Sequence, residues 1–338
     1  MPRSRRALLK TAGFTLGSGT LASMSGCLSD SLAGSDNTTT NSSSSSSSTS
    51  DVSEKPTATE AMQWIPNPQN TPLRDGIGFL YFDIEGIRSK QESIHENAYS
   101  QLEEEMLRPV WRREYVDVAA VRAAMKIGNI NVIFGSFDRE AIAENVSSDS
   151  QSSSSNTTSS QTTEPSWSEP ESYEGFDLYG SSLIYAISED VLIDASPMVS
   201  PTRDDPTTVY VKTVIDAPSG DSGYYDDGNE YVAAMMGVVE DPDALWCYPE
   251  AVDGSTSRGF RKDVITGKLQ SWRFGSETTH LTWANTYPDA ETAESGELAD
   301  YIQSESDRFG AYNGIDVTVE GNLAWTTGTI PTENFNGP

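Results

Sequence analysis

IGFLYFDI, residues 77–84, is the run whose reading decides the fold class. It is almost wholly apolar and of strand length, and a different period starts immediately behind it. Ile87, Ile94, Ala98, Leu102 and Met106 fall on one helical stripe across residues 87–107, and Pro109 marks the stop. Residues 117–126 read as a second helix, with Gly128 as its C-terminal signal. A strand over 130–137 follows, and Asp138 is placed to cap a short helix running through residue 146. Strand pattern returns at 176–179, 183–187 and 191–194. Residues 209–215 read as a helix despite their β-branched side chains, because Asp205-Pro206 ahead of them is a helix start.

The second half of the chain echoes the first. A strand over 130–137 leads into Asp138-Arg139-Glu140, a helix, and later Tyr173-Glu174-Gly175-Phe176-Asp177-Leu178. A strand over 280–285 leads into Asp289-Ala290-Glu291, a helix to about residue 304, and then Tyr312-Asn313-Gly314-Ile315-Asp316-Val317. In both copies Asp caps the helix and Gly permits the turn into a hairpin. The expected fold is therefore α+β: an antiparallel sheet with helices packed on one side, and an internal duplication of a strand–helix–strand–strand unit. The domain spans 73–332, with approximate repeats at 73–217 and 229–332. Residues 147–172, SSDSQSSSSNTTSSQTTEPSWSEPES, read as a disordered serine-rich insertion within the first repeat.

Charge restricts the partners. The 338 residues contain 51 Asp and Glu against 22 Lys and Arg, a net charge of −29. Such a surface repels polyphosphate, so no nucleic acid is expected as a partner. The self-repulsion is tolerable where the Debye length falls to about 3 Å, as in molar salt. Lysine is also scarcer than arginine, seven against fifteen. Acid-rich and lysine-poor composition of this kind resembles that of haloarchaeal proteins.

Residues 1–27 read in three parts. Ser4-Arg5-Arg6-Ala7-Leu8-Leu9-Lys10 places a polar residue before Arg5 and Arg6 and an apolar pair before Lys10, and 11–23 is a mildly apolar stretch rich in Gly, Ser and Thr. That stretch is too short and too weak to stay in a bilayer as a permanent helix. Met24-Ser25-Gly26-Cys27 then puts small residues directly ahead of a cysteine. The order resembles the signal of twin-arginine-exported lipoproteins, with Arg5 and Arg6 as the export signal and Met24 where that family has Leu. The resemblance implies removal of 1–26, lipidation of Cys27, and a place on the extracellular face of the cell membrane. One acyl chain holds a protein only marginally, so it implies a diacylglycerol-type attachment. Loss of the leader leaves 51 acids against 18 bases, a net of −33.

Residues 27–72 read as a disordered Ser/Thr/Pro-rich tether that lifts the domain off the membrane. Sequons at Asn37, Asn41, Asn145 and Asn156 lie in or beside polar low-complexity sequence and are candidate glycosylation sites. Cys247, the other cysteine, reads as a small buried apolar residue between Trp246 and Tyr248.

Candidate chemistry is thin. Gly220-Asp221-Ser222-Gly223 resembles the nucleophile loop of chymotrypsin-like serine proteases, and His95 stands in the right chain order. Tyr224 departs from that family's pattern, and the setting APSGDSGYYDDGNE is turn-rich, so the stretch reads as a loop. His95 and His280 are too few for a three-histidine metal site. Asp226-Asp227-Gly228-Asn229-Glu230 lacks the alternating spacing of a calcium loop. Tryptophans 246, 272, 283 and 325 fall in expected strands, as core residues or as a stacking surface for sugars. No catalytic, metal or cofactor residue is assigned, and no cofactor is expected. The expected function is a cell-surface, lipid-anchored binding or interaction module for a small-molecule, sugar or protein ligand. The alternatives are an extracellular hydrolase with an acidic active site and a structural envelope component.

Overall fold

In the computed structural model the described residues are 55–69, 77–110, 115–152, 170–180, 183–196, 207–249 and 264–337, with the side chains of 147–152 excepted. After α1 (Ala58–Met62), the run at 77–84 supplies β1 (Phe79–Asp83). Asp83 then accepts a hydrogen bond from the Gly86 amide and caps α2 (Ile84–Ser89). His95 caps α3 (Glu96–Met106) through Nδ1, which accepts from the Asn97 amide. Next come β2 (Val121–Ile127), β3 (Ile130–Gly135) and α4 (Arg139–Ser152). The meander β4 (Glu171–Tyr173), β5 (Phe176–Gly180), β6 (Ile184–Ile187) and β7 (Val191–Ala195) completes the first half. The second half runs α5 (Thr207–Asp216), α6 (Tyr225–Gly228), α7 (Glu230–Met236), β8 (Ala244–Tyr248), β9 (Gly267–Phe274) and β10 (Thr278–Thr286). It closes with α8 (Ala290–Glu294), α9 (Glu297–Ser304), α10 (Ser306–Phe309), β11 (Asn313–Glu320) and β12 (Leu323–Pro331).

All twelve described strands join one antiparallel sheet in the order β11-β12-β10-β9-β8-β1-β2-β3-β7-β6-β5-β4. The sheet reads the same way outward from its central β1–β8 pair. On one side the order is β1-β2-β3-β7-β6 and on the other β8-β9-β10-β12-β11. A helix or helices leave β3 and β10 before the chain returns, so the strand–helix–strand–strand unit occurs twice. The first copy carries an added outer pair, β4–β5.

The α+β class and the antiparallel sheet match the sequence reading, but the helices occupy both faces rather than one. Phe82, Ile133, Trp246 and Trp283 point into a core roofed by α2, α3, α4 and α8–α10. Phe79, Val132, Leu245 and Leu269 point into a second core roofed by α1, α5, α6 and α7. The physical cause lies in β1 itself: Phe79, Tyr81 and Phe82 are all buried, and a strand apolar on both sides needs cover on both.

The expected helix at 117–126 is replaced by β2. Ala123 and Ala124 are fully buried, one towards each core, where their small side chains let both helical layers approach. Gly128, with φ 57°, forms the β2–β3 hairpin turn rather than a helix C-cap. The single helix expected over 87–107 is α2 and α3, broken at residues 90–95, with its whole apolar stripe buried. Gly296 (φ 85°) similarly divides the helix expected after Asp289.

Part of the expected tether is folded. Thr57 and Glu60 make a reciprocal capping box on α1, and Ile65 is buried. Trp64 packs edge-to-face on Phe134 and Phe176, with ring centroids 5.7 and 6.3 Å apart. The expected serine-rich insertion is shorter at both ends, since 147–152 continue α4 and 171–172 belong to β4. Its interior at 153–169, the leader and the rest of the tether lie outside the described residues.

The echoed strings are equivalent only in part. Asp138 and Asp289 do cap α4 and α8, the helices that leave β3 and β10. The second string divides: Glu174 and Gly175 turn β4 into β5, whereas Tyr312–Gly314 enters β11 through a bulge. β11 takes the place of β6 in the sheet, not that of β5.

Candidate ligand cleft on the sheet

The second core does not extend over the whole sheet. On its face of β9, β10 and β12 the chain presents Leu269, Ala284 and Leu323 beneath α7, whose Val232 and Met235 pack on them. Gly267 keeps that contact close, for a Cβ there would sit 3.0 Å from Met235 Cε and 2.6 Å from Thr286 Oγ1. Further along the same faces the residue type changes: Ser271 and Arg273 on β9, Thr282 and His280 on β10, Thr327 and Thr329 on β12. Strand register assembles them into rungs. Ser271, Thr282 and Thr327 form one, and Arg273, His280 and Thr329 the next. No α7 side chain lines this patch.

The result is an open cleft of about 450 Å³ with this polar sheet as its floor. Val238 and Glu240, just past α7, make one wall. Asn313 and Gly314 make the other, carried there by the irregular start of β11. That volume lies within the range of small-molecule sites, about 300–1,000 Å³. Arg273 Nη1 stands 3.7 Å from Glu240 Oε2, too far for a hydrogen bond. Among the described residues the His280 ring makes no hydrogen bond, and it lies directly opposite Arg273. Hydroxyls, a guanidinium, an imidazole and one carboxylate thus face a common space.

A second polar cluster ends β1. Lys55 pairs with Asp83, and Asp83 and Asp243 crowd Gly86. A Cβ on Gly86 would lie 2.3 Å from Asp83 Oδ2 and 3.0 Å from Asp243 Oδ1. Burial pushes the Asp243 carboxyl up to about 6, against the stabilising hydrogen bond it accepts from the Phe274 amide. This cluster fastens Lys55, the α2 cap and the end of β9 together, and it does not line the cleft.

The remaining sequence candidates are dispersed. Ser222 sits ahead of α6, below the second core, while His95 starts α3 above the first, so the sheet separates them. Asp226–Glu230 forms parts of α6 and α7, with Asn229 capping α7 and Asp227 accepting from the Tyr224 amide. No group of three His, Cys, Asp or Glu suited to a metal occurs among the described residues. Trp246 and Trp272 are buried edge-to-face at 5.0 Å, and Trp283 is buried against Phe309, with Lys268 and Arg308 over its ring. These three are core residues, and Trp325 is half-buried. Cys247 is fully buried in β8, which pushes its thiol pKa far up. Asn145 is exposed on α4. Arg5, Arg6, Cys27, Asn37, Asn41 and Asn156 lie outside the described residues. Among the described residues no helix is long and apolar enough to cross a membrane.

Sequence reading missed the cleft because its residues come from four strands and a loop that only pairing brings together. The signal present was the shift along each strand from apolar to hydroxyl-bearing side chains on one face. No family model matches the chain, and no curated protein matches it. Similar solved structures include two crystal forms of TP0453. Crystal form III of TP0453 gives a TM-score of 0.42 at 9% identity, over 81% of this chain and 95% of that one. Crystal form I of TP0453 gives 0.41 at 10% identity, over 79% and 94%.

Proposed function

We propose that the protein is a binding module held on the extracellular face of the cell membrane by a lipid on Cys27, with the cleft over β9, β10 and β12 as its ligand site. The observation that carries the binding half is the uncovered, hydroxyl-lined sheet face, sized for a small molecule and flanked by Arg273, His280 and Glu240. An uncovered antiparallel face is ordinarily polar; what sets this one apart is that Val238 and Glu240 on one side and Asn313 and Gly314 on the other make it concave. The anchoring half rests on the order of Arg5-Arg6, the apolar stretch and Cys27. Both halves are testable. Cys27→Ser should move the protein from the membrane fraction to the medium, and unchanged membrane retention would refute the anchor. A thermal-shift screen in high salt, against sugars, sugar acids, peptides and divalent cations, should find a compound that raises Tm in proportion to the logarithm of its concentration.

A further inference from the structure

We propose that the cleft takes a small polyhydroxylated carboxylate, with Arg273 and His280 holding the carboxylate and the threonine hydroxyls pairing along the chain. This rests on the reading of the cleft as a ligand site and names the chemistry of what enters it.

Arginine pairing singles out Arg273. In a chain with 51 acids to 22 bases, an arginine has no shortage of partners. Arg108 donates to Glu105 at 2.8 Å, Arg88 to the Val118 carbonyl at 3.0 Å, and Arg308 to Gln270 at 3.1 Å. Arg139 is hydrogen-bonded to Asp177. Arg273 instead has a loose ion pair with Glu240 at 3.7 Å, outside hydrogen-bond reach, with its side chain 43% exposed. The fork of donors on a guanidinium matches the two oxygens of a carboxylate. Directly across the strand, His280 brings a second nitrogen-bearing side chain, its Cβ about 4.5–5.5 Å away by the geometry of opposed residues. One end of the cleft therefore suits an anion.

The rest of the floor suits hydroxyls. Thr282, Thr327, Thr329 and Ser271 each carry a group that both donates and accepts, as a sugar hydroxyl does. A purely anionic ligand would leave these hydroxyls idle, and a purely neutral one would leave Arg273 with only its loose pair to Glu240. Glu240 competes with the ligand for Arg273; its side chain is 84% exposed and free to swing away. Contact hydrogen bonds of this kind persist in concentrated salt, where the Debye length of about 3 Å removes only the longer-range repulsion from the acidic surface.

Isothermal titration of the full folded chain in high salt, using gluconate, sorbitol and acetate, separates the two contributions. Sorbitol is gluconate with its carboxylate reduced, and acetate keeps the charge without the hydroxyls. Gluconate should bind at least tenfold more tightly than either. Arg273→Gln should abolish that margin, and Glu240→Gln should tighten gluconate binding severalfold by removing its competitor. Circular dichroism of each variant checks the fold, and the gain expected from Glu240→Gln cannot come from misfolding. Sorbitol or acetate binding as well as gluconate would overturn the proposal, as would unchanged affinity in Arg273→Gln. Binding of sorbitol alone would overturn the anionic assignment while leaving the cleft a ligand site. Failure of all three probes would overturn the assigned chemistry, and the wider screen then decides separately whether the cleft binds anything.

Discussion

Asp243 sets a pH dependence that one substitution can isolate. Its carboxyl is raised from 3.8 to about 6, first by burial, with Asp83 and Asp241 adding repulsion and the Phe274 amide and Lys55 opposing. A group whose pKa is higher folded than unfolded binds its proton better when folded. The stability it contributes is full below the unfolded value of 3.8 and is lost as pH rises through about 6. Between pH 7 and pH 5 the two titration curves differ by roughly 1 kcal/mol, so acidification over that range stabilises the fold by this order from Asp243 alone. Asp243→Asn removes this carboxylate alone, so comparing the two proteins isolates its contribution. Asparagine keeps an oxygen to accept from the Phe274 amide but has no charge to titrate. Urea unfolding at pH 5 and pH 7, in the same high salt, should show the variant gaining on the wild type by roughly 1 kcal/mol at pH 7 relative to pH 5. In a domain of this size that is a difference of roughly 2–4 °C in Tm. A stability difference between the two proteins that stays constant across pH would refute the burial argument for Asp243.

Two further outcomes follow from the packing. Gly228→Ala would drive a Cβ to 2.1 Å from Oδ1 of the buried Asn67, where residues 66–69 dock on α6 through the Pro66–Tyr224 bridge and the Gln69–Gly228 hydrogen bond. It should cost about 1–3 kcal/mol, and adding Asn67→Ala should recover part of the loss, as a double-mutant cycle in urea would show. Cys247 should react with a thiol reagent only at the rate of unfolding, since it is fully buried in β8; fast labelling of the native protein would contradict that placement.

Much of the fold could be read from periodicity. The run at 77–84, the stripe from Ile87 to Met106 and the strands near 130, 184, 192 and 280 each became the expected element or part of it. The helix at 207–216 formed despite its β-branched residues, as the Asp205-Pro206 start suggested. Where reading failed, tertiary structure overruled local preference. Residues 121–127, with Ala, Met and Lys, favour a helix by propensity, yet they form a strand between two cores that demand small side chains. The cover on both faces was legible in principle, because β1 is apolar without alternation. So was the folding of 57–65: Thr57-Ala58-Thr59-Glu60 is a capping-box sequence, followed by Met62, Trp64 and Ile65, which a proline-rich neighbourhood disguised as tether. His280 alternates along β10 with the buried Leu281 and Trp283, but its pairing with Arg273 depends on hairpin register and cannot be seen along the chain. The acid-rich background hid Asp243 in the same way: what distinguishes it is burial, not residue type.

The central claim, that the cleft over β9, β10 and β12 is a ligand site, is tested most directly by filling it. Thr282 is half-buried on the cleft floor, midway between Ser271 and Thr327, and Thr282→Trp would occupy the space without touching either core. The variant should unfold within a few degrees of the wild type in the absence of ligand and lose the Tm increase given by the strongest compound of the screen. A Tm increase of equal size in wild type and Thr282→Trp would place binding elsewhere and contradict the account.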